Sequence, residues 1–447
     1  MKKRNEKRKK HTYFGEVSLR RRILIGAAML LLTFSASACG TGSPGADTSK
    51  TAEETEISTE TQAESLTETE KEVSTEKETE IPTEKETETE TETETEISAE
   101  TETETVPAEP FSPASFEPAH PAPASGTETD PGIVRTDTAL YTYDMMVSDL
   151  QTIADRYPEH LTLGSAGTTE DGRELFVVGL GNPLAERSFL IVAATHGREY
   201  MTAQLVMKQI EFYAANYETG SYNGVPLKEL LEKNYFRVMP MVNPDGVSVS
   251  ELGEAGIRRD DLRANLRSIY ASDLAKGFAG NDYAYYLTRW KANANGVDLN
   301  RNFSPGWETV NERSAPSSDF YKGPVPGSEK ESQALMNVVN EMRHLQAVIS
   351  YHSYGDLVYW QYGQPEPLWS ANRELAQHIS NHAGHYLAGY SNEAGFTNWC
   401  IRVKGIRAVV VETGRVPTPL PLSEFADLWN RHRYTFAMLS LAVPAME

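Results

Sequence analysis

The stretch Phe189 to Tyr213, FLIVAATHGREYMTAQLVMKQIEFY, restricts the architecture of the chain more than any other. Phe189 to Ala194 are six small or apolar residues, the pattern of a short buried strand. The run breaks at Thr195-His196-Gly197-Arg198-Glu199, and from Met201 the apolar positions Leu205, Val206, Met207, Ile210 and Phe212 suit a mostly buried helix. His196 and Glu199 therefore fall at a strand-to-helix turn, where α/β proteins commonly place their chemistry. An imidazole and a carboxylate three residues apart can reach one metal ion, and Gly197 between them lets the backbone fold tightly. Such a pair also recurs by chance, so it carries weight only if the chain supplies the missing ligands.

Charge divides the 447 residues into regions. Residues 1–50 hold eleven Lys and Arg against three acids, whereas residues 51–110 hold 22 Glu against three Lys. With a net charge of −22, no nucleic acid is expected as a partner. Arg20-Arg21-Arg22, the apolar run Ile23 to Phe34 and the small residues Ser35 to Ala38 form an export signal, residues 1–38. The run is too short for a comfortable transmembrane helix, which needs about 20 residues. Cys39-Gly40 follows directly and resembles a bacterial lipoprotein signal, in which this cysteine is lipidated, although Ala36 stands where leucine is more usual. Export to a bacterial cell surface, with a lipid on Cys39 held in the membrane, is the expected localisation. Residues 39–133, a Thr-Glu repeat followed by a Pro-, Ala- and Ser-rich run, are too charged and too poor in apolar residues to build a core and read as a stalk. Lipidation of Cys39 would leave Cys400 without a disulfide partner; Cys400 reads as a small buried hydrophobe.

Residues 134–447 are long enough for one large domain. Helices are expected at Met145 to Tyr157, from Ser328 (with Glu331 as a capping box) to Arg343, at Leu375 to Ala388 and at Pro421 to Ala442. Strands are expected at Leu175 to Leu180, Tyr235 to Val242, Ala347 to Tyr351 and Arg407 to Val411. Asn243-Pro244-Asp245-Gly246 reads as a turn, and residues 247–287 as an insertion with short helical pieces. The alternation predicts a single α/β domain, with a mixed, mostly parallel twisted sheet covered by helices on both faces.

Three further segments carry candidate chemistry. In GVDLNRNF, residues 296–303, Arg301 between two asparagines can grip a carboxylate, although an ordinary polar loop reads the same way. His352 follows a strand, where a lone histidine is usually structural. Glu412 ends the apolar run Val409 to Val411, where a carboxylate is costly to bury without a partner or a task. His378, His382 and His385 share one helical face and are expected to be a solvated face rather than a metal site.

Taken together and in this order, these motifs resemble the zinc metallocarboxypeptidases of the carboxypeptidase A/B type, over roughly residues 135–445. The resemblance implies one zinc ion bound by His196, Glu199 and His352, with one coordination position left for water. It implies Glu412 as the general base. It also implies Asn300 and Arg301 as the grip on the substrate's terminal carboxylate, and Asp298 as the carboxylate that orients a zinc histidine. Tyr390, nine residues before Trp399, has the spacing of the family's mobile tyrosine, and Thr397 falls near the position that sets side-chain preference. The sequence departs from the pattern where the family has an oxyanion-stabilising arginine: Lys291 follows Trp290 there, with Arg289 as a second candidate. The wording WKANANGVDLNRNF resembles bacterial members that cut peptidoglycan stem peptides beside γ-D-glutamate.

Three functions are thus in play: a carboxypeptidase acting on peptide C-termini, a stem-peptide hydrolase with the same chemistry, and a peptide-binding surface protein that has lost catalysis. The first is the principal expectation, working as a monomer; an intact triad with Glu412 argues against the third.

Overall fold

The computed structural model describes residues 128–389 and 394–446. The signal, most of the stalk, Cys39 and Tyr390 lie outside the described residues. Among the described residues no helix is long and apolar enough to cross a membrane.

The domain opens with helix α1 (Tyr143–Arg156), capped by the Thr142 side chain, and strands β1 (Leu161–Thr168), β2 (Glu174–Gly181) and β3 (Ser188–Val192). Helix α2 (Tyr200–Ala215) leads through the small ribbon of β4 (Ser221–Tyr222) and β5 (Val225–Pro226) to α3 (Leu227–Lys233) and β6 (Tyr235–Met239). Helices α4 (Pro244–Leu252), α5 (Asp260–Ala275) and α6 (Tyr283–Thr288) follow. Next come α7 (Lys330–Glu341), β7 (Leu345–His352), β8 (Leu357–Tyr359), α8 (Leu368–Ala383), β9 (Tyr386–Leu387) and α9 (Phe396–Arg402). The chain closes with β10 (Arg407–Glu412), α10 (Phe425–His432) and α11 (Thr435–Ala442).

Eight strands form one sheet in the order β1-β2-β6-β3-β7-β10-β8-β9. Its centre, β6-β3-β7-β10, is parallel; β1-β2, β2-β6 and β10-β8 are antiparallel, and the edge pair β8-β9 is parallel. The centre is buried on both faces, which is why β3 reads as an unbroken apolar run. Phe189 and Ile191 face the core shared with α2, whereas Leu190 and Val192 face the core shared with α7 and α9. A smaller core around Trp290, Leu266, Ile269 and Tyr286 holds the α4–α6 segment together. The mixed α/β architecture expected from the alternation is the one observed.

Several local readings change. Asn243-Pro244-Asp245-Gly246 is the start of α4: Asn243 Oδ1 accepts from the Gly246 N–H at 2.9 Å, and Pro244 occupies the first turn. The capping box at Ser328 does not form, because the Ser328 hydroxyl donates to Glu329 and the Glu331 side chain turns into the protein. Helix α8 stops at Gly384, whose left-handed backbone ends it five residues after Ile379, and Tyr386–Leu387 join the sheet. The C-terminal helix breaks after His432, whose carbonyl accepts from the Gln209 amide and the Thr435 hydroxyl. Strand β1 carries too little apolar signal to have been found. His382 and His385 are buried rather than solvated, with Nε2 of His385 3.0 Å from Nε2 of His432.

Helix α2 is buried on every side, including Gln204, Lys208 and Glu211. The arm preceding α1 covers this polar face. The Ile133 and Val134 N–H groups donate to the Glu211 carboxylate, Lys208 bridges Glu211 and Asp130, and Gln204 donates to the carbonyls of Arg135 and Thr138. Residues 129–133, placed in the stalk by composition, therefore dock on the domain.

Candidate metal centre

The C-terminal edge of the parallel strands carries the candidate site. Beyond β3 the chain passes through Ala194 and a single 3₁₀ turn, Gly197–Glu199, before α2. Thr202 secures this turn by donating to the Glu199 carbonyl and accepting from the Ala194 N–H. A Cβ at Gly197 would lie 2.3 Å from the Gly246 carbonyl oxygen, and one at Gly246 would lie 2.3 Å from that of Ala292. Only glycines let these three backbones meet. The Asn243 amide completes the junction by donating to the carbonyls of Thr195 and Ala292. Sequence reading missed this role of Asn243. Its signal was present, as an asparagine ending a buried strand, but was absorbed by the turn reading.

His352 arrives from the end of β7, two strands of the parallel centre being joined by β3–β7 pairing. His196, Glu199 and His352 are all buried, and each offers a ligand atom within 4.8 Å of the others. His196 Nδ1 lies 2.8 Å from Glu199 Oε1 and 3.1 Å from His352 Nδ1, which is 3.0 Å from Glu199 Oε2. Ligands at about 2.0–2.1 Å from a tetrahedral zinc would be about 3.3 Å apart, close to these spacings. Asp298 Oδ1, 3.2 Å from His196 Nε2, takes that nitrogen's proton as a hydrogen bond and leaves the Nδ1 lone pair facing the cluster. Two facing imidazole nitrogens and a carboxylate, buried together, are a donor set that fits a divalent cation. Burial opposes the charge on Glu199, but the two imidazoles outweigh it and hold the carboxyl well below its usual range.

The other predicted residues surround this cluster. Asp298 is buried; burial opposes its charge, but Lys291 and His196 outweigh that effect and keep it well below the usual carboxylate range. Glu412, half-buried at the end of β10, pairs in register with His352. Asn300 and Arg301 lie in a short 3₁₀ turn, both buried. The Asn300 side-chain oxygen accepts from the Phe396 N–H, which ties the turn to α9, and a Cβ at Gly395 would press on it at 2.5 Å. Arg301 Nε donates to Glu312 at 3.3 Å. Thr397 is buried in the first turn of α9. The Lys291 ammonium donates to Asp298 Oδ2 at 2.8 Å. Arg289 caps α6, and its carbonyl accepts from Arg198. Phe320, which sequence reading did not single out, stacks against both Lys291 and Arg301.

A buried His-Glu-His cluster at the end of a parallel sheet, with a carboxylate beside it, defines a mononuclear metallohydrolase. The zinc carboxypeptidase family model matches residues 146–426, and the chain belongs to that family of zinc metallopeptidases. It is 27% identical over 300 residues to the uncharacterized protein YqgT of Bacillus subtilis, covering 65% of this chain and 74% of that one. It is also 27% identical over 297 residues to gamma-D-glutamyl-L-diamino acid endopeptidase 1 of Lysinibacillus sphaericus, covering 65% and 69%. Carboxypeptidase B of Astacus astacus is 26% identical over 227 residues, covering 50% and 64%. Among solved structures, thrombin-activatable fibrinolysis inhibitor shares the fold, with a TM-score of 0.52, 21% identity, and coverage of 68% of this chain and 74% of that one.

Proposed function

We propose that the domain removes C-terminal residues from peptides, with Glu412 as its general base. The observation that carries this reading is the convergence of His196, Glu199 and His352, with Glu412 held in register beside His352. Zinc bound there supplies Lewis acidity to the scissile carbonyl and lowers the pKa of a coordinated water. The Glu412 carboxylate accepts the proton of the attacking water and passes it to the leaving amine. Asn300 and Arg301 hold the terminal carboxylate, and Thr397 contributes to the choice of side chain. Asp298 keeps His196 in the tautomer that ligates.

A second reading is favoured by one comparison. The match to the Lysinibacillus endopeptidase spans 65% of the chain, against 50% for the crayfish carboxypeptidase B. On that reading the scissile bond joins γ-D-glutamate to a diamino acid in a peptidoglycan stem peptide. The signal-like residues 1–38, the Cys39-Gly40 pair that follows them and the charged stalk support placement at a bacterial surface, where such peptides occur. Incubating the full chain with linear L-peptides and with stem peptides, and identifying products by mass, separates the readings. Release of single C-terminal residues from L-peptides supports the first; cleavage confined to the γ-D-glutamyl bond replaces it with the second. Labelling with radioactive palmitate tests the lipid on Cys39, and no label in the full chain would refute it.

A further inference from the structure

Lys291 sits where the resemblance implies an oxyanion donor, yet its ammonium is committed elsewhere. It donates to Asp298 Oδ2 at 2.8 Å, and its other side lies 4.7 Å from the centre of the Phe320 ring. Asp298 is fully buried and divides its two oxygens between two tasks. Oδ1 serves the metal side, lying 3.2 Å from His196 Nε2 and accepting from the Asn300 N–H at 3.1 Å. Oδ2 serves the other side, accepting from Lys291 and, at 3.2 Å, from the Phe320 N–H. Phe320 has a φ of 59°, a conformation bulky residues rarely adopt, and in it the N–H reaches Asp298 while the ring covers Lys291. The Lys291 backbone is fixed as well: its N–H donates to the Ser318 carbonyl, and its carbonyl accepts from the Gly197 N–H, inside the metal-binding turn. Without the ammonium, Oδ2 keeps only the Phe320 N–H as its fixed donor, so the carboxylate is free to swing and His196 loses the acceptor that orients its ring.

We propose that Lys291, clamped between Asp298 Oδ2 and the face of Phe320, is a positioning residue for the metal centre that holds the carboxylate orienting His196, rather than a donor to the scissile carbonyl. This rests on the metal-centre reading above, and the two fail in different ways. The test measures the zinc dissociation constant of the full chain by chelator competition, the visible spectrum of the cobalt-substituted protein, and kcat at saturating zinc. Lys291→Met is expected to weaken zinc binding by about tenfold to a hundredfold, as loss of an outer-shell partner does, and to shift the cobalt bands. Its kcat at saturating zinc falls by less than about tenfold, whereas losing an oxyanion donor costs about a hundredfold to a thousandfold. Lys291→Arg keeps the charge beside Asp298 and restores zinc affinity to within about threefold of wild type. An unchanged zinc affinity in Lys291→Met, with kcat down by about a hundredfold or more, would overturn the proposal in favour of the oxyanion role. If circular dichroism shows Lys291→Met unfolded, Phe320→Leu is read instead. That variant keeps the ammonium and removes the ring, and zinc binding should weaken at least about threefold; unchanged affinity would overturn the proposal. Failure of the wild-type chain to bind one zinc would sink the metal-centre reading itself.

Discussion

Glu331 offers a stability test whose sign and size follow from its surroundings. Its side chain is buried at the start of α7, with Asp245 and Glu329 nearby, and takes hydrogen bonds from its own backbone N–H and from the Asn293 amide, the latter at 3.3 Å. Burial, reinforced by Asp245, pushes its pKa up from 4.5 to about 8. Between those values the folded protein holds a proton on Glu331 that the unfolded chain has released. Its contribution to stability is therefore complete below about pH 4.5 and is lost as pH rises through about 8, at about 1.4 kcal/mol per pH unit. The accumulated loss is roughly 5 kcal/mol by pH 8, a large part of the total stability of about 5–15 kcal/mol typical of domains. Glu331→Gln keeps the shape, does not titrate, and can donate to Glu329 or Asp245. Guanidinium unfolding of both proteins, followed by tryptophan fluorescence from pH 5 to pH 9, isolates the effect as a difference. The variant should match wild type near pH 5 and be more stable by several kcal/mol at pH 8, with no further gain above about pH 9. A difference that does not change with pH would refute the reasoning, because it would mean that Glu331 ionises as in water.

Three further outcomes follow from other residues. Glu412→Gln should lower kcat by about a hundredfold to ten-thousandfold while leaving the zinc content at one per chain; retained turnover would remove Glu412 from the role of base. Glu211→Ala strips the acceptor from the Ile133 and Val134 N–H groups and leaves Lys208 with Asp130 alone, so denaturant unfolding should show a loss of about 3–5 kcal/mol. A loss below about 1 kcal/mol would mean that the arm does not hold to α2 in solution. Gly197→Ala drives a methyl into the Gly246 backbone and should destabilise the domain by at least about 1–3 kcal/mol, lowering zinc occupancy with it; wild-type occupancy and stability would show that the junction yields.

What the sequence made legible was what local pattern or shared chemistry encodes. The β3 run, α2 and the ends of β7 and β10 are visible because a doubly buried strand is apolar throughout. The metal-centre residues stand at the ends of such strands, but it was the resemblance to the zinc metallocarboxypeptidases, not position alone, that marked His196, Glu199 and His352 as ligands. What stayed hidden depends on distant partners. Ser328 and Glu331 have the spacing of a capping box, but Asn293 and Asn302 from another segment claim this region, and Ser328 turns to Glu329. His385 looks like a continuation of the α8 face until Gly384 ends the helix and His432 meets it. The apolar positions of α2 mark a mostly buried helix, but what covers its polar residues Gln204, Lys208 and Glu211 is the docked arm of residues 129–138, which no local pattern encodes. Lys291 could be placed against the family pattern by alignment with Trp290, but its commitment to Asp298 is a fact of side-chain geometry.

The most direct test of the central claim is the metal itself, measured together with its effect on cleavage. The purified full chain should contain one zinc per molecule by plasma emission, lose peptide hydrolysis when a chelator removes it, and recover on adding one equivalent back. His352→Ala should neither retain zinc nor cleave. A chain that cleaves peptides with no metal bound, or whose His352→Ala variant keeps both zinc and activity, would contradict the assignment of His196, Glu199 and His352 as the catalytic zinc site.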